Sequence, residues 1–247
     1  MEKDYDQYTF GRGELVKNVL LYLAVCEGIG WLFYHSLLAG AAFWPGLVWF
    51  LKNRKKTYAA RQKRELLAQF LTAMQSVSKA LEAGYSMENA FREAGKETEK
   101  VYGTDSLMAL ELQGFVRKME WNETLENLLC DFGKRSHLED VENFGEIFSV
   151  ARKMGGNLKV IIRNTTENIK SKTETQEEIA VSLAGKVMEQ RTMSLIPCGI
   201  LFYVNLASPE FLKGMYHNPL GVCVMTICLF IYGAAFLWGR RIVAIEV

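Results

Sequence analysis

Two long runs almost free of charge, separated by a charged segment without proline, constrain this chain more than any bulk property does. From Val16 to Leu51 the only acidic or basic side chains apart from histidine are Lys17 and Glu27, and from Met193 to Trp238 they are Glu210 and Lys213. A helix needs ~20 predominantly apolar residues to cross the hydrocarbon core of a bilayer, so each run is long enough for a hairpin of two helices. The spans read as Val16–Tyr34, Ser36–Leu51, Met193–Ala207 and Leu220–Trp238, with turns near His35 and over Ser208-Pro209 to Asn218-Pro219. The net charge of +1 and the apolar share of 49% conceal this, because they average two unlike kinds of sequence.

The first run does not read as a cleaved signal peptide. Its flank carries Glu2, Asp4, Asp6 and Glu14, and the apolar stretch continues without a small-residue cleavage site. Orientation follows from the basic residues beside the spans. Lys52 to Arg64 contains KNRKK, Arg61, Lys63 and Arg64 with no acid, Lys186 and Arg191 precede the third span, and Arg240-Arg241 follow the fourth. The expectation is a polytopic all-α membrane protein with about four transmembrane helices. Residues 1–15 and 239–247 form cytoplasmic tails, 16–51 and 192–238 membrane hairpins, and 52–191 a cytoplasmic six-helix bundle.

Within that middle segment the apolar residues recur at helical spacing. The first helix, over Arg61–Ala83, carries Leu66, Leu67, Phe70, Leu71, Met74, Val77 and Leu81 on one stripe, and Gly84 ends it as a left-handed residue. Ser86 caps a second helix over Met87–Glu99. A third, Asp105–Met119, turns Leu107, Leu110, Leu112, Phe115 and Val116 inward, and Asn122 caps a fourth, Glu123–Phe132, with Leu125, Leu128 and Leu129 inward. After a break at Gly133–His137 a fifth, Leu138–Met154, presents Val141, Phe144, Ile147, Phe148 and Ala151, and Gly155-Gly156 closes it. Asn157 opens a sixth that runs from Leu158 through KSKTETQEE almost to the third span.

Catalytic chemistry needs convergent polar groups, and the chain offers few. His35 and His217 fall in outer turns, His137 in a helix break, and no pair of histidines has ligand spacing. Gly95-Lys96 lacks the first glycine and the hydroxyl of a phosphate loop. No cysteine pair has CxxC spacing, so neither a zinc site nor a disulfide framework is expected. The reading is a non-enzyme without cofactor or metal. The basic run Lys52–Arg64 abuts a span and suits anionic lipid headgroups rather than nucleic acid. Glu27 is the intramembrane polar residue, read as a neutral helix-packing acid. Lys134, Arg135, Arg152 and Lys153, beside helix ends, are the candidate partner-binding residues, and Gly84, Ser86, Gly155 and Gly156 are structural helix-end residues.

In their order, these features resemble the type II secretion system F-domain family, the membrane platforms of secretion machines and type IV pili. The matching stretches are the basic juxtamembrane run, Ala80-Leu81-Glu82-Ala83-Gly84, Tyr85-Ser86-Met87-Glu88-Asn89-Ala90, Phe115-Val116-Arg117 to Leu125, Met154-Gly155-Gly156-Asn157-Leu158, and a charged helix leading to a span near Ile196-Pro197. Two spans, one such domain and two further spans is similar to the paired platform proteins of the tight-adherence (Tad, or Flp) pilus. One departure is Asn157, where family members commonly carry a small residue.

The resemblance implies a scaffold in the cytoplasmic membrane that contacts a separate hexameric secretion ATPase, a second F-domain platform protein and pilin subunits. It also implies assembly as a homo- or hetero-oligomer. The alternative is a membrane-bound signalling protein with a helical cytoplasmic domain, which needs a phosphoacceptor histidine on a helix or a methylation region, and His137 lies in a break.

Overall fold

The computed structural model describes residue 5 and residues 11–34, 44–208 and 218–243. Among these the chain is helical, with eight α-helices and one 3-10 turn, Trp44–Gly46. The helices are α1 Arg12–Tyr34, α2 Leu47–Glu82, α3 Met87–Tyr102, α4 Leu107–Glu120, α5 Leu125–Ser136, α6 Glu139–Lys153, α7 Leu158–Ala207 and α8 Pro219–Val243. Two compact units result. Residues 1–9 and 54–174 make up the first, and residues 10–53 and 175–247 the second.

The first unit takes its core from one stripe of α2. Leu66, Phe70, Met74 and Val77 are fully buried, and Leu71 and Leu81 nearly so. Against them pack Phe91 of α3, Met108, Leu112 and Phe115 of α4, Leu128, Leu129 and Phe132 of α5, Phe144 and Phe148 of α6 and Ile162 of α7. Two of its aromatic pairs meet edge to face: Phe70 and Phe144 lie 5.2 Å apart at 86°, and Phe115 and Phe132 lie 5.9 Å apart at 80°. Such pairs add about 0.5–1.5 kcal/mol beyond the area they bury. Leu110 and Ile147, expected inward, are 49% and 45% exposed. The stripes on α4 and α6 are narrower than their apolar content.

Helix α5 departs from the sequence reading. Gly133, expected in a break, lies inside the helix and faces α6 at close range: a Cβ there would stand 2.8 Å from the Glu142 Cα. Gly145 of α6 returns the contact, with a Cβ that would meet the Leu129 carbonyl oxygen at 3.0 Å and the Cys130 Cα at 3.3 Å. The two glycines let the backbones of α5 and α6 approach more closely than any side chain permits.

In the second unit α1 and α8 are the two described helices long and apolar enough to cross a membrane. The expected span Ser36–Leu51 is described only in part. Its residues 36–43, with the turn at His35, lie outside the described residues, and Leu47–Leu51 form the first turns of α2, which continues through the basic run. Met193–Ala207 is the last part of α7 and contains Pro197. Most of the turn over 208–219, with Glu210, Lys213 and His217, also lies outside the described residues, as do 1–4, 6–10 and 244–247. Leu32 and Phe33 of α1 and Met225 of α8 form a small buried cluster. The Tyr34 hydroxyl lies 2.9 Å from the Thr226 hydroxyl, and the Asn205 amide donates to the Leu32 carbonyl over 3.4 Å. The Tyr232 hydroxyl donates to the Ser194 carbonyl, in the turn where Pro197 disturbs the helical ladder.

Candidate functional site

One end of the first unit is built from three copies of the same helix termination. At the end of α2, Gly84 has φ +92°, its N–H donates to the Leu81 carbonyl, and the Tyr85 N–H donates to the Ala80 carbonyl, each over 3.1 Å. At the end of α4, Asn122 has φ +61°, its N–H donates to Met119 over 3.0 Å, and the Glu123 N–H donates to Lys118 over 3.1 Å. At the end of α6, Gly155 has φ +69°, its N–H donates to Arg152 over 3.3 Å, and the Gly156 N–H donates to Ala151 over 2.8 Å. This is the Schellman pattern of paired bonds around one left-handed residue. Glycine adopts that conformation without penalty, and asparagine tolerates it.

Ion pairs bring the three turns to one end. Arg152, in the last turn of α6, meets Glu126 in the first turn of α5 at 2.7 Å, and Arg163 near the start of α7 lies 4.0 Å from Glu82 at the end of α2. The turns expose Tyr85 (53%), Trp121 (88%) and Met154 (81%). Such apolar side chains on a hydrogen-bonded backbone are what a partner surface can bury with little loss of backbone conformational entropy. Ser86, following Tyr85, sits at the N-cap of α3, and its hydroxyl accepts from the Asn89 N–H over 3.4 Å. Asn122, expected as the N-cap of the next helix, instead ends α4, and Thr124 occupies the N-cap of α5.

The four basic candidates do not gather into one patch. Arg152 and Lys153 belong to the Schellman end, whereas Lys134 and Arg135 end α5 at the far end of the α5–α6 hairpin. Arg152 is held by Glu126, and Lys153 and Lys134 are exposed. Arg135 is the centre of a partly buried network. Its guanidinium takes both Glu111 oxygens at 3.0 Å and an Asp131 oxygen at 2.8 Å, and it lies 6.0 Å from the centre of the Phe132 ring. Burial disfavours the charged guanidinium, but the hydrogen bonds and charges of Glu111 and Asp131 outweigh it and raise its pKa above the ordinary arginine value.

A profile described as Type II secretion system (T2SS), protein F, matches residues 73–205, more than half of the chain and all of α3 to α6. The chain belongs to the type II secretion system protein F family. This family comprises inner-membrane platform proteins of type II secretion and type IV pilus machines rather than enzymes, and they generally interact with secretion ATPases and other platform components. No curated protein and no solved structure matches the chain.

The family match begins inside α2 and stops at the end of α7, so α1, α8 and Tyr5 lie beyond it. Glu27 of α1 is half-buried, and its Oε2 has no hydrogen-bond partner among the described residues. Among the described residues no group of His, Cys, Asp and Glu is placed to hold a metal ion. Two features of this F-family chain escaped the sequence reading. Trp121 carried a signal, since a tryptophan directly before a left-handed asparagine falls at the tip of a turn. Tyr5 carried none, because its partners Glu111 and Arg135 are more than a hundred positions away.

Proposed function

We propose that this chain is a platform protein of a Tad/Flp-type pilus or type II secretion machine, coupling a cytoplasmic hexameric ATPase to the extraction of pilin subunits from the inner membrane. The observation that carries this reading is α7. It runs as one helix of 50 residues from Leu158 to Ala207, beginning beside the Schellman end and closing in the apolar stretch. At 1.5 Å per residue a helix of this length is about 75 Å long, and in this proposal it carries displacement from the F domain towards the apolar stretch. The domain end with Tyr85, Trp121, Met154, Arg152 and Lys153 supplies the surface for the ATPase in this proposal, and the exposed Lys134 faces other components, with Arg135 fixing that end through Glu111 and Asp131. Gly84, Ser86, Gly155 and Gly156 act by fixing the turns rather than by touching the partner.

The topology in this reading has four spans, with the middle segment and both termini in the cytoplasm. Tyr5 supports it. Its side chain packs into the 54–174 unit, so residues ahead of α1 belong on that unit's side of the membrane. A chain that crosses through α1 must then cross back before the basic stretch Lys52–Arg64, which favours Ser36–Leu51 as the return span. The plan of cytoplasmic tails at 1–15 and 239–247, membrane hairpins at 16–51 and 192–238 and an F domain at 52–191 belongs to the same proposal. So do a second F-domain partner, association into a homo- or hetero-oligomer, contacts with lipid headgroups, and a role without catalysis or cofactor.

The test is a flexible Gly-Ser insertion of about ten residues after Thr173, in the first third of α7. Pilus assembly or secretion should be abolished while membrane insertion and protein level are retained. Assembly at the normal level with the insertion present would contradict coupling through this helix.

A further inference from the structure

Of the N-terminal residues, the described Tyr5 belongs to the same compact unit as residues 54–174, although α1 does not. Tyr5 is 2% exposed. Its ring meets Phe132 edge to face, with centroids 6.4 Å apart at 89°. Its hydroxyl donates to Glu111 Oε1 over 2.8 Å, and its backbone N–H donates to the Arg135 carbonyl over 3.2 Å. Burial, and then the Glu111 charge, raise its pKa above the ordinary tyrosine value of 10.0, so the phenol stays protonated and can donate.

Tyr5 lines a groove of about 390 Å³ between α4 and α5. Leu110 and Gly114 give it an apolar floor, and Arg117 and Lys118 stand at its side. In the sequence Tyr5 is flanked by Asp4 and Asp6, with Glu2 nearby. An aromatic side chain for the floor, a donor for Glu111 and acids for Arg117 and Lys118 suit this groove, which Asp131 and Arg135 also line.

We propose that the α4–α5 groove is a docking site for a short acidic segment with a central tyrosine, and that the chain's own N-terminal segment occupies it in cis as a displaceable latch. Segments of the same chemistry on a partner take the groove only when the chain's own segment leaves it, so occupancy of the site is under competition.

The test uses the full chain in detergent, a variant lacking residues 2–9, and a fluorescein-labelled synthetic peptide of residues 1–10, read by fluorescence anisotropy. The peptide should bind the truncated chain at least tenfold more tightly than the intact one. A Tyr5→Ala peptide should lose at least tenfold, and Arg117→Glu in the truncated chain should weaken binding several-fold. Because truncation can impair folding, the otherwise intact Tyr5→Ala chain serves as a second receptor, and it should bind the native peptide as the truncated chain does. Equal affinity for intact and Tyr5→Ala chains, unchanged affinity of the Tyr5→Ala peptide, or no binding to a Tyr5→Ala chain with native helix content would each overturn the proposal. Peptide binding to the intact chain that appears on dilution would place the segment in a second copy and overturn occupancy in cis.

Discussion

At the scale of single residues, the glycines of the F domain divide into two kinds with different physical roles. Gly84 and Gly155 hold positive φ at helix ends, with nothing within 4 Å of a prospective Cβ, so a side chain there meets conformational strain rather than a clash. Replacing either by alanine should cost about 1–2 kcal/mol through the left-handed conformation alone. Gly133 and Gly145 are limited by space, since a Cβ at either would press on the backbone of the facing helix. Gly133→Ala should lower the thermal unfolding midpoint, with a cost of about 1–3 kcal/mol typical of overpacking. Gly114, in the interior of α4, has open space around its Cβ position, so Gly114→Ala should leave stability unchanged or raise it by up to ~1 kcal/mol through helix propensity. Circular dichroism melts of the detergent-solubilised protein measure both. Equal effects of the two substitutions would contradict the close approach of α5 and α6.

The first kind of glycine was legible in the sequence, because Gly84 stands at the end of an apolar stripe and is followed by the capping Ser86. The second was not. Inside a helix a glycine looks like punctuation until the facing backbone is known, which is why Gly133 read as a break.

At the scale of elements, helix periodicity located the helices between Arg61 and Met154 because each buries a single stripe. It misplaced their ends where a side chain on another element does the capping. At the start of α4 the Ser106 hydroxyl makes no cap bond, and the Met108 N–H donates instead to Oε1 of the buried Gln69 of α2 over 3.0 Å. Gln69 therefore acts as a cap supplied from a neighbouring helix. Gln69→Leu should destabilise the domain by about 1–3 kcal/mol, the usual cost of leaving a buried donor unpaired. Hydrogen exchange of the Met108 amide should speed up in the same variant. Unchanged protection at Met108 would show that Gln69 fills space only. The length of α7 was also underestimated, since the reading stopped the helix where the span was expected to begin, whereas the backbone passes Pro197 and stays helical to Ala207.

At the scale of the whole molecule, the distribution of charge carried most of what the sequence revealed. It separated the apolar runs from the F domain before any residue contact was considered, and the order of turn motifs then pointed to the family that the profile match establishes. Tertiary placement of single side chains was beyond it. The four basic candidates were chosen for lying near helix ends, yet alternate ends of an antiparallel hairpin point in opposite directions. That separation distinguishes the roles proposed for Arg152 and Lys153 from those of Lys134 and Arg135.

The platform reading is tested most directly by purifying a tagged full-length copy from its native membranes and identifying the proteins retained with it by mass spectrometry. Recovery of a secretion-type ATPase together with a second F-domain protein, with the ATPase selectively diminished when Trp121 and Met154 are replaced by serine, is the result predicted. A stably folded chain that retains neither would contradict it.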